Sequence, residues 1–457
     1  MSDVDVAIAG AGAAGLFAAL AAADEGRTVM VLERDRRFAD NANTGRSTGL
    51  ITAGGTSAQA HLGVHDSAER YIADLTRKNR GQSDPELVRA VATTAPIVVD
   101  VASDRWGAPL AYIPDLPFPG HTINRAHGPE ARKGRYLVEA LLAEVRKRSN
   151  LDLVSGMAVS GLLQGDHGDV VGVLAAPEGS PPEALTSGRV ILAVNGFGAN
   201  TDWVLRYIPE IASAVYFGGP GSDGAGIAWG LEVGAGVATM DAYQGHCSIS
   251  PDAGTLLPFI LIGTGGAMFN SEGNRFGDES VGYSEFAVLV SQQSGNLAWE
   301  VFDGQSYRAA MIYEDFQESL AAGVVRECSG LAQLASRTGL PLASLEREFT
   351  EMERSHDDAK EDRFGRRHHR RLQPPLYAVR VSGALFHTQG GLRVDARARV
   401  LRPNGAVVPG LYAAGGTAAG VSGHGAAGYM AGNGLTAAAV LGYLAGADEG
   451  GPSGAPR

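Results

Sequence analysis

The stretch Asp3 to Asp35, DVDVAIAGAGAAGLFAALAAADEGRTVMVLERD, decides the fold. Val4 to Ala9 is an apolar run broken only by Asp5, the pattern of a buried parallel strand, and Leu16 to Ala23 is an Ala/Leu segment suited to a helix packed on it. Between them lies Gly10-Ala-Gly-Ala-Ala-Gly15. In a chain with 63 glycines among 457 residues, about twice the usual share, such spacing carries weight only through its flanks. Gly10 permits the tight turn, Gly12 lets a pyrophosphate approach the backbone ahead of Ala14, and Gly15 lets the helix close on the strand. The helix N-terminus offers an anion free N–H groups and the positive end of its dipole. A second strand ends in Glu33, where a carboxylate can accept hydrogen bonds from a ribose. The stretch predicts a dinucleotide-binding βαβ unit.

Composition narrows the class. A chain of this length forms a large core without disulfides. Cys247 and Cys328, without CxxC spacing, argue against a zinc site, a disulfide scaffold or a redox dithiol, and no metal is expected. No leader is evident, and no apolar run approaches the ~20 residues of a membrane span. A soluble, cytoplasmic protein is expected. A net charge of −12 disfavours nucleic acid as a partner. The basic run Phe364 to Arg371, FGRRHHRR, is read as a solvated loop of mixed charge.

Farther along, Ser67 to Asn150 reads as helices joined by a loop, Pro109 to Gly128, whose prolines Pro109, Pro114, Pro117 and Pro119 exclude regular structure. Short strands are expected near Asp152 to Val154, Val170 to Ala175 and Val190 to Val194, and Asp223 precedes another helix. From about Met240 to Pro374 the texture changes, with more aromatics and long helical patterns. The α/β character returns in Gly410 to Gly446, and the tail DEGGPSGAPR is expected to fray.

Several segments together resemble the fumarate reductase and 3-ketosteroid dehydrogenase flavoprotein family: the N-terminal fingerprint, RSTGLITAGGT (Arg46 to Thr56), ILAVNGFGAN (Ile191 to Asn200), MFNSEGNRFGDES (Met268 to Ser280), ALFHTQGGLRVDARARVL (Ala384 to Leu401) and VPGLYAAGG (Val408 to Gly416). The resemblance implies an α/β fold: a Rossmann-like FAD-binding domain of residues 1–239 and 376–457, interrupted by an α+β capping domain of residues 240–375. It implies FAD held by Gly10, Gly12, Ala14, Gly15, Glu33 and Arg34; by Ser47, Thr48, Gly49, Gly54 and Gly55; by Asn195, Gly196 and Asp223; and by Gly415, Gly416, Asn433, Gly434 and Leu435. The helix beginning near Gly432 would face the flavin pyrimidine edge and stabilise negative charge there. Thr48 stands where membrane-bound relatives carry a flavin-linked histidine, so noncovalent FAD is expected.

The family's chemistry moves a hydride between flavin N5 and the carbon β to a carbonyl while a side chain exchanges a proton at the α carbon. Tyr283 stands where fumarate reductases place an arginine acid and ketosteroid dehydrogenases a tyrosine. Tyr429 stands in place of a second, carboxylate-clamping arginine. Without those bidentate anchors a small dicarboxylate is a poor candidate. Tyr429 and the backbone of the final glycine loop, Gly425 included, could instead polarise a ketone. Tyr112 is a candidate relay partner. His246, His387 and His424 lie in segments expected at the substrate, with His387 the preferred polar anchor.

Three functions follow. The first is a dehydrogenase acting on a small-molecule carbonyl substrate, a cyclic ketone, ketosteroid-like compound or oxo acid, and passing electrons to oxygen, a quinone or a carrier protein. The second is an ene reductase of the same fold, saturating an enone or enoate. The third is a flavin-binding protein without catalysis.

Overall fold

The computed structural model describes residues 2–116 and 118–449. Pro117 of the proline-rich loop and the tail from Gly450 lie outside the described residues. Val4–Ala9 is a strand buried from Val6 onward, Ala13–Asp24 is the helix behind it, and Val29–Glu33 runs parallel to the first strand with Val6 opposite Val29. Leu16, Phe17 and Leu20 are fully buried, each contributing about 1.5–3 kcal/mol. A Cβ on Gly15 would stand 1.9 Å from the Gly10 carbonyl oxygen, so only glycine lets this helix start where it does.

The sheet grows by parallel pairing to Leu151–Ser155 on one side and through Glu183–Leu192 to Val407–Ala413 on the other. Segments from both ends of the chain thus share one sheet. The last helix, Asn433–Ala447, lies directly on the first: a Cβ on Gly442 would meet the Ala14 carbonyl oxygen at 2.2 Å, and one on Gly446 that of Ala18 at 2.1 Å. Small residues on both helices allow this approach.

A second sheet is built around Leu376–Thr388, which pairs antiparallel with Tyr243–Ser250 and Leu297–Asp303. The expected return to the nucleotide domain at residue 376 therefore falls at the start of this sheet's central strand. The proline-rich loop is not wholly irregular. Ala111–Tyr112 and Ala126–Gly128 pair within a three-stranded sheet with Ile51–Thr52, because Pro109, Pro114 and Pro119 lie outside the paired residues.

The basic run Phe364 to Arg371 also departs from expectation. Arg366 and His368 are buried, as are Arg275 and Glu279. Arg275 donates to both Glu279 oxygens, at 2.9 and 2.7 Å, and also pairs with Asp362, while Arg366 donates to Glu279 at 2.7 Å and His368 lies 2.9 Å from Asp362. Two cations meet two carboxylates, so alternate residues of the run fold inward while Arg371 stays outside on Asp357. Asp448, in the tail expected to fray, is buried and accepts the Tyr412 hydroxyl at 2.6 Å.

Candidate active site

Two adjoining cavities meet where the sheets meet. The larger, about 610 Å³, is lined by Gly10, Gly12, Ala14, Glu33 and Arg34 from the first βαβ unit, by Ser47, by Asn195, Asp223, Gly415 and Gly416 across from them, and by His387, Gly434 and Leu435 at one end. The residues present fit a dinucleotide. Gly12, at the N-cap of the helix from Ala13, has no side chain to cap it and the first turn holds no acidic residue; the Thr44 hydroxyl takes the Ala13 N–H at 3.0 Å, which leaves the following N–H groups to an anion. Glu33 accepts the Ala11 N–H on one carboxylate oxygen and the Asp35 N–H on the other, both at 2.8 Å. Each oxygen retains a lone pair for a ribose hydroxyl. Arg34 and Asp223 pair at 2.9 Å on the wall, and Asn195 sits at φ 70°.

Other expected cofactor residues, Gly15, Gly49, Gly54, Gly55, Gly196 and Asn433, do not line either cavity. Gly15 admits the first helix, Gly196 packs where a Cβ would strike the Thr388 hydroxyl at 2.0 Å, and Gly49 faces Gly134. Gly54 and Gly55 abut Asp66 and Ser67. Asn433 is buried with neither side-chain polar atom partnered. Thr48 lines the smaller cavity.

The smaller cavity, about 140 Å³, shares Asn43, Ser47, His387 and Leu435 with the larger one. Its wall is mostly apolar, with Leu50, Leu116, Phe118, Phe259 and Ile260 among its residues, and Tyr283, Tyr429, His246, Gln244 and Arg46 supply polar atoms. Tyr283 opens the helix Tyr283–Ser291 after Gly282, whose φ of 136° needs glycine. Its ring stacks on His246 at 5.0 Å and meets Tyr429 edge to face at 6.1 Å. The Gly434 N–H donates to the Tyr429 hydroxyl at 3.4 Å. The same helix start is tied down from behind: the Thr436 hydroxyl lies 2.9 Å from that of Thr52, which lies 2.6 Å from Tyr71.

Burial governs the electrostatics. Desolvation, then the neighbouring Tyr429, pushes the Tyr283 phenol well above its ordinary value. Desolvation pushes Tyr429 up to about 12, with the Gly434 N–H pulling the other way. Burial brings His246 down to about 3 and His387 to about 4, so both are neutral at pH 7. The Gln389 amide nitrogen lies 3.1 Å from His387 Nδ1 while its oxygen accepts the Ser422 hydroxyl at 2.8 Å. Nδ1 also lies 3.4 Å from the Thr388 carbonyl oxygen; with Gln389 donating over the shorter distance, Nδ1 accepts and Nε2, the atom beside Gly434, carries the proton.

Three expected site residues lie elsewhere. Strand pairing turns Tyr112 toward Asn124, whose carbonyl takes its hydroxyl at 3.0 Å, and toward the His127 ring. His424 is half exposed and lies 2.7 Å from Asp241. Gly425, beside it, lends its carbonyl to the Tyr243 N–H. None of the three lines either cavity. Conversely, Arg46, Gln244 and Gln389 were not singled out as site residues in the sequence. The one available signal was an arginine directly before the expected cofactor residues Ser47 and Thr48.

A family model described as FAD binding domain matches residues 5–435. The chain belongs to this family. It is an FAD-dependent oxidoreductase. It is 30% identical over 449 residues to a probable fumarate reductase of Shewanella frigidimarina, covering 96% of this chain and 74% of that protein. The structure of the open conformation of a flavocytochrome c3 fumarate reductase superposes with a TM-score of 0.81 at 28% identity, over 97% of this chain and 77% of the other. A 3-ketosteroid-Δ4-(5α)-dehydrogenase from Rhodococcus jostii RHA1, at 24% identity, has the same fold with a TM-score of 0.75 over 98% and 97% of the two chains. Among the described residues no helix is long and apolar enough to cross a membrane.

Proposed function

We propose that this FAD-dependent oxidoreductase introduces a C=C bond α,β to the carbonyl of a cyclic ketone, a ketosteroid-like compound or an oxo acid. One arrangement carries the reading. Tyr283, Tyr429 and the N-terminus of the last helix converge on a small apolar cavity that shares wall residues with the larger, nucleotide-sized one. When bound, FAD supplies the two-electron sink that takes the hydride from the β carbon. Tyr283 receives the α-proton on Oη. The Tyr429 hydroxyl, which itself takes the Gly434 N–H, holds the carbonyl oxygen as negative charge builds on it, with the Gly432 end of the last helix on the same wall. The His387 Nε2–H orients the substrate. Because burial holds the Tyr283 phenol protonated, its own proton must first pass to hydroxide from solvent, giving water, and the phenolate then takes the α-proton.

FAD is held without a covalent link, electrons leave to oxygen, a quinone or a carrier protein, and the protein acts in the cytoplasm. The division into residues 1–239 with 376–457 and a cap of 240–375 belongs to the same proposal, with the strand Leu376–Thr388 carrying His387 from the cap's sheet to the nucleotide cavity.

A second reading, saturation of an enone or enoate, has one observation in its favour: a phenol held protonated is already in the state that donates a proton. A relative named as a probable fumarate reductase points the same way. Anaerobic mixing separates the two. A saturated cyclic ketone that bleaches the oxidised flavin supports desaturation. An enone that reoxidises the reduced flavin, with no ketone bleaching the oxidised form, supports reduction.

A further inference from the structure

Arg46 ends the short helix Asn43–Arg46 and lines the smaller cavity. Its guanidinium carbon lies 5.4 Å from the centroid of Phe217, and its Nε is buried without a hydrogen-bond partner. Among the described residues no carboxylate pairs with it. A cation over an aromatic face keeps its N–H edge available for a planar anion. Partly burying that edge with nothing to meet it is costly.

The rest of the wall carries no competing charge. Gln244, Ser47, Thr48 and the tyrosines are neutral, and burial keeps His246 and His387 neutral as well. Arg46 is therefore the one fixed charge among the described residues lining this cavity. Its place relative to the tyrosines is set by near-parallel rings: Phe217 stacks on Phe386 at 5.3 Å, Phe386 on His246 at 5.2 Å, and His246 on Tyr283 at 5.0 Å. The guanidinium stands at one end of this column and the Tyr283 phenol at the other.

We propose that Arg46 anchors a carboxylate of the substrate, which is therefore an anionic carbonyl compound whose acid group lies across an apolar body from the carbons that react at Tyr283. The inference deepens the dehydrogenase reading and rests on it only for the chemistry at the tyrosine end. Recognition of the acid end is separate and can be measured without turnover.

The test uses the FAD-loaded protein and a series of ω-(4-oxocyclohexyl)alkanoates of increasing chain length, each beside its methyl ester. Binding is read from the perturbation of the visible flavin band. At the best chain length the acid is expected to bind roughly 10- to 100-fold tighter than its ester. Arg46→Met should bring the acid to the level of the ester, and Arg46→Lys should restore part of the difference. Equal binding of acid and ester to the unaltered protein, or a preference that survives Arg46→Met, would overturn the proposal. So would a variant that loses FAD while its residual FAD-bound fraction still prefers the acid, since the guanidinium would then serve the cofactor. An acid that binds with the expected preference yet never bleaches the flavin would support the anchor and fail the dehydrogenase reading instead.

Discussion

The rings of Tyr283 and Tyr429 meet edge to face, their centroids 6.1 Å apart and their planes at 61°. One phenol comes from the start of a helix on the second sheet and the other from the last glycine loop. Replacing Tyr283 with Phe should retain FAD and slow anaerobic flavin bleaching by a bound ketone about 10²- to 10⁴-fold, the usual contribution of a positioned acid or base. Tyr429→Phe, which removes the oxyanion donor but leaves the Gly432 end of the last helix in place, should cost about 10²-fold. A Tyr283→Phe protein with intact redox activity would return the chain to a flavin-binding role without catalysis.

The raised Tyr283 phenol sets a pH dependence. A group whose value lies well above 10 exists as phenolate in a fraction that grows tenfold for each pH unit below that value. Desaturation should therefore accelerate with pH and show no plateau below about pH 9. Stopped-flow bleaching rates across pH test this, and a rate that levels off near neutrality would exclude Tyr283 as the base.

Gly15→Ala should produce a folded but colourless protein. The added Cβ cannot stand 1.9 Å from the Gly10 carbonyl oxygen, so the first helix must move and carry its N-terminus away from the pyrophosphate position. The 280 to 450 nm absorbance ratio after purification measures the loss.

Glu300 is fully buried, no cation pairs with it among the described residues, and desolvation, opposed only by the Ser248 hydroxyl, raises its pKa from 4.5 to about 8. The folded protein keeps this proton while the unfolded chain releases it, so stability falls as pH rises from 4.5 to about 8 and the full penalty stands above that window. Glu300→Gln should raise the thermal midpoint at about pH 8.5 and change it little near pH 5, with a difference on the order of 2–4 kcal/mol in unfolding free energy.

The buried ion cluster in the second sheet's domain has the opposite sign. Glu279, held down to about 2 by Arg366 and Arg275 against its desolvation, stabilises the fold above the ordinary carboxylate value, and that contribution is lost as pH falls through about 2. Glu279→Ala leaves the buried Arg275 guanidinium with Asp362 as its carboxylate and the buried Arg366 guanidinium with the Ile262 carbonyl. A loss of about 3–5 kcal/mol is expected in urea unfolding at neutral pH.

Much of this molecule was legible along the chain. The turn at Gly10 to Gly15, the strand ending in Glu33, the helix after Asp223 and the glycine run before the last helix are local patterns, and each residue there answers to neighbours a few positions away. Legibility failed where partners are remote. The run Phe364 to Arg371 reads as solvent-facing by its own charge, yet Arg366 and His368 are buried because Glu279 and Asp362 are brought to them by the fold of the second domain. Tyr112 is an aromatic in a suitable loop, but a two-residue strand pairing with Ala126–Gly128 turns its hydroxyl to the Asn124 carbonyl and leaves it off both cavities.

By itself the amino-acid sequence determined the nucleotide-binding unit, the family and its cofactor, because backbone turns, apolar periodicity and helix termini depend on residues adjacent in the chain. Only the tertiary structure decided which side chains face one another across the smaller cavity. Arg46, Tyr283, His387 and Tyr429 come from four separated segments, and their meeting depends on two sheets and the first and last helices packing at backbone contact, a long-range outcome of burial that no local pattern encodes.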